Sequence, residues 1–384
     1  MLMHTPPGVA AVTPQSTAVR SFCSLKSQPK ISAQYCAAQQ ATRQRTVCRS
    51  TQATSSGITV SVAPEIDAAI EAGLNSCITQ TDLDVGPCTV GKVRDVYEAG
   101  DKLVIVTTDR QSAFDRILAA IPYKGQVLNQ TSAWWMDQTR HIISNSLVGV
   151  PDPNIAVMQR CSVFPVEFVV RGYLTGSTDT SLWTHYNNGA REYCGNSFPD
   201  GMVKNQRLAK NVVTPTTKAV DHDVPISAAE IVSAGLMTQA QWDEASAAAL
   251  ALFEFGQKQA AERGLLLVDT KYEMGTAPDG SIVLVDEIHT PDSSRYWLAE
   301  SYEERHAAGQ EPMNIDKEFL RLWFRDHCDP YNDEVLPEAP RELVAELSRR
   351  YIWLYQAITG QPFQPAPLPP HDRMKAALAS VGYE

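Results

Sequence analysis

The first 64 of the chain's 384 residues contain no Asp or Glu at all. Six bases (Arg20, Lys26, Lys30, Arg43, Arg45 and Arg49) and seventeen Ser or Thr lie in the same stretch. A leader that is hydroxyl-rich, basic and free of acids has the composition of an organelle transit peptide. It lacks a continuous apolar core, which excludes a secretory signal. The whole chain has 33 Lys and Arg against 44 Asp and Glu, a net charge of -11. Six of those bases and none of the acids belong to the leader, so the remainder carries about -17. Such a balance argues against nucleic acid or an anionic membrane as a partner. No run of eighteen apolar residues occurs, so no transmembrane helix is expected. Eight Cys are too few for a disulfide scaffold, and the five beyond the leader (Cys77, Cys88, Cys161, Cys194, Cys328) show no CxxC or Cys/His metal spacing. Two glycine-rich nucleotide signatures, GxxxxGK[ST] and GxGxxG, are also missing.

What is present is a mixture of hairpins and helices. Residues 93–97 and 103–108 flank a turn and predict an antiparallel hairpin. Residues 129–144 and 179–186 read as helices. Ser227-x-x-Glu230 and Thr238-x-x-Gln241 are capping boxes, the second opening an Ala-rich helix to Arg263, with Gly264 closing it. Strands at 265–274 and 281–288 are joined by the turn 277–280. Pro340 starts a helix whose apolar stripe is Leu343, Leu347, Tyr351, Leu354 and Ile358. Residues 195–225 show little periodicity and read as a long loop. Without regular βα alternation, the fold class is α+β.

Chemistry concentrates in four places. In Leu267-Val268-Asp269-Thr270-Lys271-Tyr272-Glu273, an apolar run turns into alternating charge, and strand parity puts Asp269, Lys271 and Glu273 on one face. If the turn pairs Thr276 with Ser281, Lys271 faces Asp286; a slip of one residue puts Glu287 there instead. Carboxylates so close need a cation among them. Mg²⁺ favours one or two carboxylates completed by phosphates and water, so Glu273 and Asp286 are the candidate Mg²⁺ ligands and Lys271 the phosphate contact. A solvated charged hairpin face would look the same. Gly91-Lys92-Val93-Arg94 places two cations beside a glycine where a phosphate could approach. Arg171-Gly172-Tyr173-Leu174-Thr175-Gly176-Ser177 joins an Arg fork to glycines and a hydroxyl, a set suited to an anion. Thr290-Pro291-Asp292-Ser293-Ser294-Arg295 repeats hydroxyls with Arg directly beyond the acidic strand. Weaker signals are Asp109 to Asp115, which includes Ser112, and Thr214 to Lys218 with His222 and Asp223.

Six segments, GKVRDVY (91–97), TTDRQSAFD (107–115), VEFVVRGYLTGS (166–177), TPTTKA (214–219), LVDTKYEMG (267–275) and VDEIHTPDSSRYW (285–297), together resemble the SAICAR synthetase family, in the family's order. The resemblance covers roughly residues 85–360. It implies an ATP-dependent ligase of purine biosynthesis that joins L-aspartate to the carboxylate of carboxyaminoimidazole ribonucleotide (CAIR), with ATP and Mg²⁺ as cofactors and an acyl phosphate on the path. It implies that Gly91, Lys92 and Arg94 form the nucleotide-phosphate loop. Lys271, Glu273 and Asp286 would be the phosphate lysine and Mg²⁺ carboxylates. Arg171, Ser177 and Arg295 would hold the ribonucleotide phosphate. Lys218 and Asp223 would lie near the reacting groups, and Asp115 and Ser112 near the imidazole substrate. It implies an N-terminal antiparallel nucleotide lobe (65–165), similar to kinase or ATP-grasp lobes, a larger catalytic lobe (166–384) and a cleft between them. The leader (1–64) is extra to the bacterial pattern and resembles plastid-targeted plant and algal forms, so the expected location is the plastid stroma. The partners are then small molecules, with no nucleic acid and no membrane; the oligomeric state stays open, a homo-oligomer included.

Overall fold

Alternating side chains build two large antiparallel sheets, beside three two-stranded ones, in the computed structural model, which describes residues 51–54, 57–114, 116–178, 180–218, 224–315 and 317–383. Leader residues 1–50, and with them most of the transit-peptide reading, lie outside the described residues, as do Asp115, His222 and Asp223. The first sheet has five strands: β1 (Cys88–Val90), β2 (Arg94–Ala99), β3 (Lys102–Thr107), β4 (Leu147–Asp152) and β5 (Ile155–Gln159), in the order β1-β2-β3-β5-β4. Its β2–β3 hairpin turns on Gly100 and Asp101, since Ala99 pairs with Lys102, and Gly100 takes a φ of 66°. The second sheet contains β6 (Ser162–Tyr173), β7 (Arg207–Val213), β8 (Thr216–Thr217), β9 (Val224–Pro225), β10 (Leu265–Thr276), β11 (Ile282–Leu284) and β12 (Ser294–Leu298). The path is β9-β8-β6-β10-β11, with β7 also on β6 and β12 also on β10. The fold is thus α+β with antiparallel sheets.

Three of these strands lie in the stretch 195–225 that shows no periodicity in the sequence. Two of them, β7 and β8, are ordered by pairing with β6, a partner distant in sequence, and β9 pairs with β8. Helix α1 (Lys124–Gln138) starts five residues before and ends six residues before the expected 129–144, and the helix expected at 179–186 runs over Leu182–Asn187.

The core side of the second sheet packs on helix α2 (Gln239–Ala261), whose Trp242, Ala245, Ala249, Leu252 and Phe253 are buried. Thr238 and Gln241 form the reciprocal cap at its start, and Gly264 beyond its end has a φ of 73°. Phe168 of β6 stacks on Trp242 at 5.5 Å between ring centroids. Phe164, Val166, Phe168 and Val170 of β6 enter the core, as do Leu265 and Leu267 of β10 and, after an irregularity between Leu267 and Asp269 that reverses the parity, Tyr272 and Met274. The alternate set points the other way and is free for chemistry. Helix α3 (Arg341–Thr359) buries Leu347, Tyr351, Leu354 and Ile358 of its stripe and ends at Gly360 in the left-handed conformation. Helix α4 (Pro370–Ser380) covers the outer face of the first sheet through Met374 and Leu378.

The β10–β11 register is the slipped one: Thr276 pairs with Ile282 and Met274 with Leu284. The turn holds three residues rather than four, because Ala277 N–H donates to the Ser281 carbonyl at 2.9 Å, leaving Pro278, Asp279 and Gly280. Gly280 supplies the left-handed residue such a loop needs, with φ at 88°. The ladder stops at Leu284, so residues 285–288 are not strand.

Candidate active site

Three neighbouring strands place charge in rows. In the first row Arg171 of β6 and Arg295 of β12 flank Asp269 of β10 from either side. Two residues along β10 comes Lys271, opposite Val169. Two further on, Glu273 lies opposite Glu167. Carboxylates directly opposed on a sheet repel. Here Lys271 Nζ bridges them, 2.5 Å from Glu273 Oε1 and 3.1 Å from Glu167 Oε1. The second oxygen of Glu273 takes Lys218 Nζ, and the second oxygen of Glu167 accepts the Thr216 hydroxyl at 3.2 Å.

Asp286 reaches this group although it is not Lys271's ladder partner. Its Oδ2 lies 3.8 Å from Lys271 Nζ and its Oδ1 accepts from Arg94 at 3.0 Å. The other arm of Arg94 contacts Glu287 Oε2 at 2.7 Å, so one guanidinium from the first sheet spans two acids beyond β11. Burial works against the Lys271 charge, but Glu273, Asp286 and Glu167 outweigh it and hold the ammonium well above the lysine range. Burial likewise opposes ionisation of Asp286, yet Arg94 and Lys271 bring its pKa down to about 2. The expected trio of acids around Lys271 is therefore corrected in one member: Glu167 stands where Asp269 was expected, because Asp269 is held in the Arg row.

Lys92 and Arg94 do not share a strand face. The strand begins at Arg94, and Lys92 sits exposed in the bend before it. Arg110, buried and paired with Asp95 at 2.6 Å, fixes that bend by donating to the carbonyls of Gly91 and Lys92 at 2.9 and 3.2 Å. A side chain at residue 91 would come within 2.9 Å of the Arg94 carbonyl, which explains the glycine. Between the first sheet and α1 lies a slot lined by Ile105, Leu128, Met136, Ala156 and Met158 together with Arg94, Asp286 and Glu287.

At the other end, Arg171 is buried and donates to the Thr214 hydroxyl at 2.8 Å and to the Thr180 carbonyl at 3.1 Å. Its burial lowers its pKa from the usual arginine value. Arg295 contacts Asp269 directly, while Arg171 stands 3.9 Å from the same oxygen. Gly176, Ser177, Arg295 and Lys204 line one pocket with Glu311 and Glu318. Ser177 Oγ donates to Glu318 at 3.4 Å. Ser112 lies in the short strand Arg110–Ala113, which pairs with Arg116–Ala120, next to Gln111, whose Oε1 accepts from Tyr351.

Glu287, the acid that the slipped register offers, pairs with Arg94 rather than Lys271, and two features have no counterpart among the sequence expectations: Glu167 and a buried cluster around Asp292. Lys124 contacts Asp292 at 2.7 Å, Tyr351 donates to it at 2.7 Å, and Lys317 donates to its backbone carbonyl at 2.9 Å. Burial opposes the Asp292 charge, but Lys124 and Lys317 hold the carboxyl well below its ordinary range. The signal for Glu167 was present: it lies two residues after Pro165 on the strand that carries Arg171, with the parity of Arg171.

Among the described residues no group of three or more His, Cys, Asp or Glu side chains is placed to cage a metal ion. The two acids Glu273 and Asp286 fit instead a cation that takes its other ligands from phosphate oxygens and water.

Comparison with known proteins gives one consistent result. The pattern of the SAICAR synthetase family matches residues 88–338. The chloroplastic phosphoribosylaminoimidazole-succinocarboxamide synthase of Arabidopsis thaliana is 62% identical over 317 residues, 81% of this chain and 77% of that relative. The Legionella pneumophila (strain Lens) enzyme of the same name is 62% identical over 300 residues, 78% of this chain and 96% of the relative. Among solved structures, the SAICAR synthase of Saccharomyces cerevisiae complexed with SAICAR superposes with a TM-score of 0.65 at 30% identity, covering 75% of this chain and 99% of the other.

Proposed function

The chain belongs to the SAICAR synthetase family of ATP-dependent ligases in purine biosynthesis, and from that premise we propose that it joins L-aspartate to the carboxylate of CAIR through an acyl phosphate. The observation that carries this reading is the layout of β10: an acid-rich end at Glu273 and an arginine-rich end at Asp269 on one strand face.

A carboxylate resists amine attack because its oxygen is a poor leaving group. Transfer of the ATP γ-phosphoryl to that oxygen releases ADP and makes the oxygen part of a phosphate. The aspartate amine then attacks the acyl carbon, phosphate departs, and the amine nitrogen gives up a proton. The chain's part is to hold the reactants and neutralise developing charge. Lys271 and Lys218 rest on Glu273 in this structure. With nucleotide bound, we assign Lys271 to the transferring phosphoryl group, with Lys218 and Asp223 beside the reacting carboxyl. Gly91, Lys92 and Arg94 border the nucleotide phosphates, and the apolar slot beside Arg94 suits the base. Mg²⁺ held by Glu273 and Asp286 would screen the phosphate charge. Arg171, Ser177 and Arg295 suit the ribonucleotide phosphate, and Ser112 and Asp115 are assigned to the imidazole end. The acid-free leader and the chloroplastic relative favour the plastid stroma.

The test is product formation with ATP, CAIR and L-aspartate, omitting each in turn. SAICAR, ADP and phosphate in equal amounts are expected only in the full mixture. ATP turnover independent of CAIR would point to a different acceptor and overturn the reading. For the address, a fluorescent fusion of residues 1–64 should enter plastids, and cytosolic fluorescence would refute it.

A further inference from the structure

His289 lies in the segment between Glu287 and Asp292, and none of the roles above uses it. It is fully buried and takes a φ of 52°, unusual for a residue with a side chain. Its Nε2 bonds the hydroxyl of Tyr272, while its buried Nδ1 has no hydrogen-bond partner. Tyr272 is the core-facing residue between Lys271 and Glu273. The imidazole stands edge-on to Trp135 of α1, with centroids 4.7 Å apart. It also presses on α2 at Gly256, where an added Cβ would come within 2.4 Å of the ring. The backbone around it is tied as well: the Tyr296 hydroxyl donates to the His289 carbonyl at 2.8 Å, and the Thr290 hydroxyl donates to Glu287 at 2.6 Å. The β10–β11 ladder ends at Leu284; Val285 N–H still donates to the Glu273 carbonyl and Lys271 N–H to the Ser293 carbonyl, both at 3.1 Å, but between these two points Asp286 and Glu287 have no ladder partner.

We propose that His289 is a positioning residue: its bond to Tyr272, closed over Gly256, locks the segment bearing Asp286 and Glu287 to the strand bearing Lys271 and Glu273. The inference rests on the assignment of Glu273 and Asp286 to a nucleotide-bound Mg²⁺. Removing a group that orients metal ligands commonly weakens metal affinity by roughly 10- to 100-fold.

The test is calorimetric binding of ADP to the full chain with and without Mg²⁺, beside Tm. The variants are Tyr272→Phe, which keeps the ring and deletes the hydroxyl, and His289→Asn, which tolerates the left-handed backbone. Both are expected to lose about tenfold or more of the Mg²⁺-dependent gain in ADP affinity while binding metal-free ADP as the wild type does. His289→Gln, which can again reach the Tyr272 hydroxyl, is expected to recover part of the gain. If His289→Asn does not fold, Tyr272→Phe decides alone. A lowered Tm with an unchanged Mg²⁺ gain would make the pair merely structural and overturn the proposal. Failure of the wild type to bind ADP would instead refute the nucleotide assignment itself.

Discussion

The two ends of β10 are built from the same materials in opposite proportions. Around Lys271, the acids Glu167, Glu273, Asp286 and Glu287 face Lys271, Lys218 and Arg94. In direct contact around Asp269, one acid faces two guanidinium groups, and the adjoining pocket adds Lys204 with Glu311 and Glu318. A local excess of acid favours an added cation, and a local excess of base favours an added anion. This contrast underlies the proposed layout, in which metal and triphosphate are assigned to one end and a phosphate monoester to the other.

Four measurements on three substitutions would break or sharpen that contrast. Asp286→Asn removes an acid from the surplus end and is expected to lower kcat by roughly 10³-fold while the circular dichroism spectrum stays native; near-normal turnover at saturating Mg²⁺ would erase the distinction. Arg171→Ala at the basic end is expected to raise KM for the ribonucleotide roughly 10- to 100-fold, the worth of one or two charge-assisted hydrogen bonds, with KM for ATP unchanged. An equal rise in both would mean that the ends are not separate. Glu167→Gln leaves Lys271 two acids and should cost about fivefold in KM for ATP, near 1 kcal/mol; initial rates over an ATP series would show it. The smallest effect concerns acid stability. Asp286 titrates at about 2 in the fold, below its ordinary value of 3.8. A depressed carboxylate contributes stability above pH 4 and loses it as the pH falls through 2. Asp286→Asn should therefore flatten the decline in Tm between pH 4 and 2, by about 2 kcal/mol at most; an unchanged slope would mean that Arg94 and Lys271 do not stabilise that charge.

What the sequence disclosed was local. Strand parity put Lys271 and Glu273 on one face, capping boxes placed Ser227 and Thr238 at helix starts, and Gly264 and Gly360 marked helix ends. What it concealed depends on contacts made far along the chain. Glu167 joins Lys271 through pairing across 104 positions, and Arg94 reaches Asp286 across 192. Lys124, with its side chain fully buried, could not be told from an ordinary surface lysine until Asp292 was brought to it. The β10–β11 register turned on whether Ala277 belongs to the loop or to the ladder, which a single backbone hydrogen bond decides. The leader's limit is a further case: Val60 lies within the acid-free stretch yet is 1% exposed in the main core.

One strand carries both ends of the site, with Asp269 and Glu273 four residues apart on a single face. At about 3.3 Å per residue this separates the two centres by roughly 13 Å. A β-strand in mid-sheet cannot stretch, so β10 acts as a ruler. A substrate whose phosphate lies nearer to or farther from its reacting carboxylate than the sheet's own repeat allows would engage one end and miss the other.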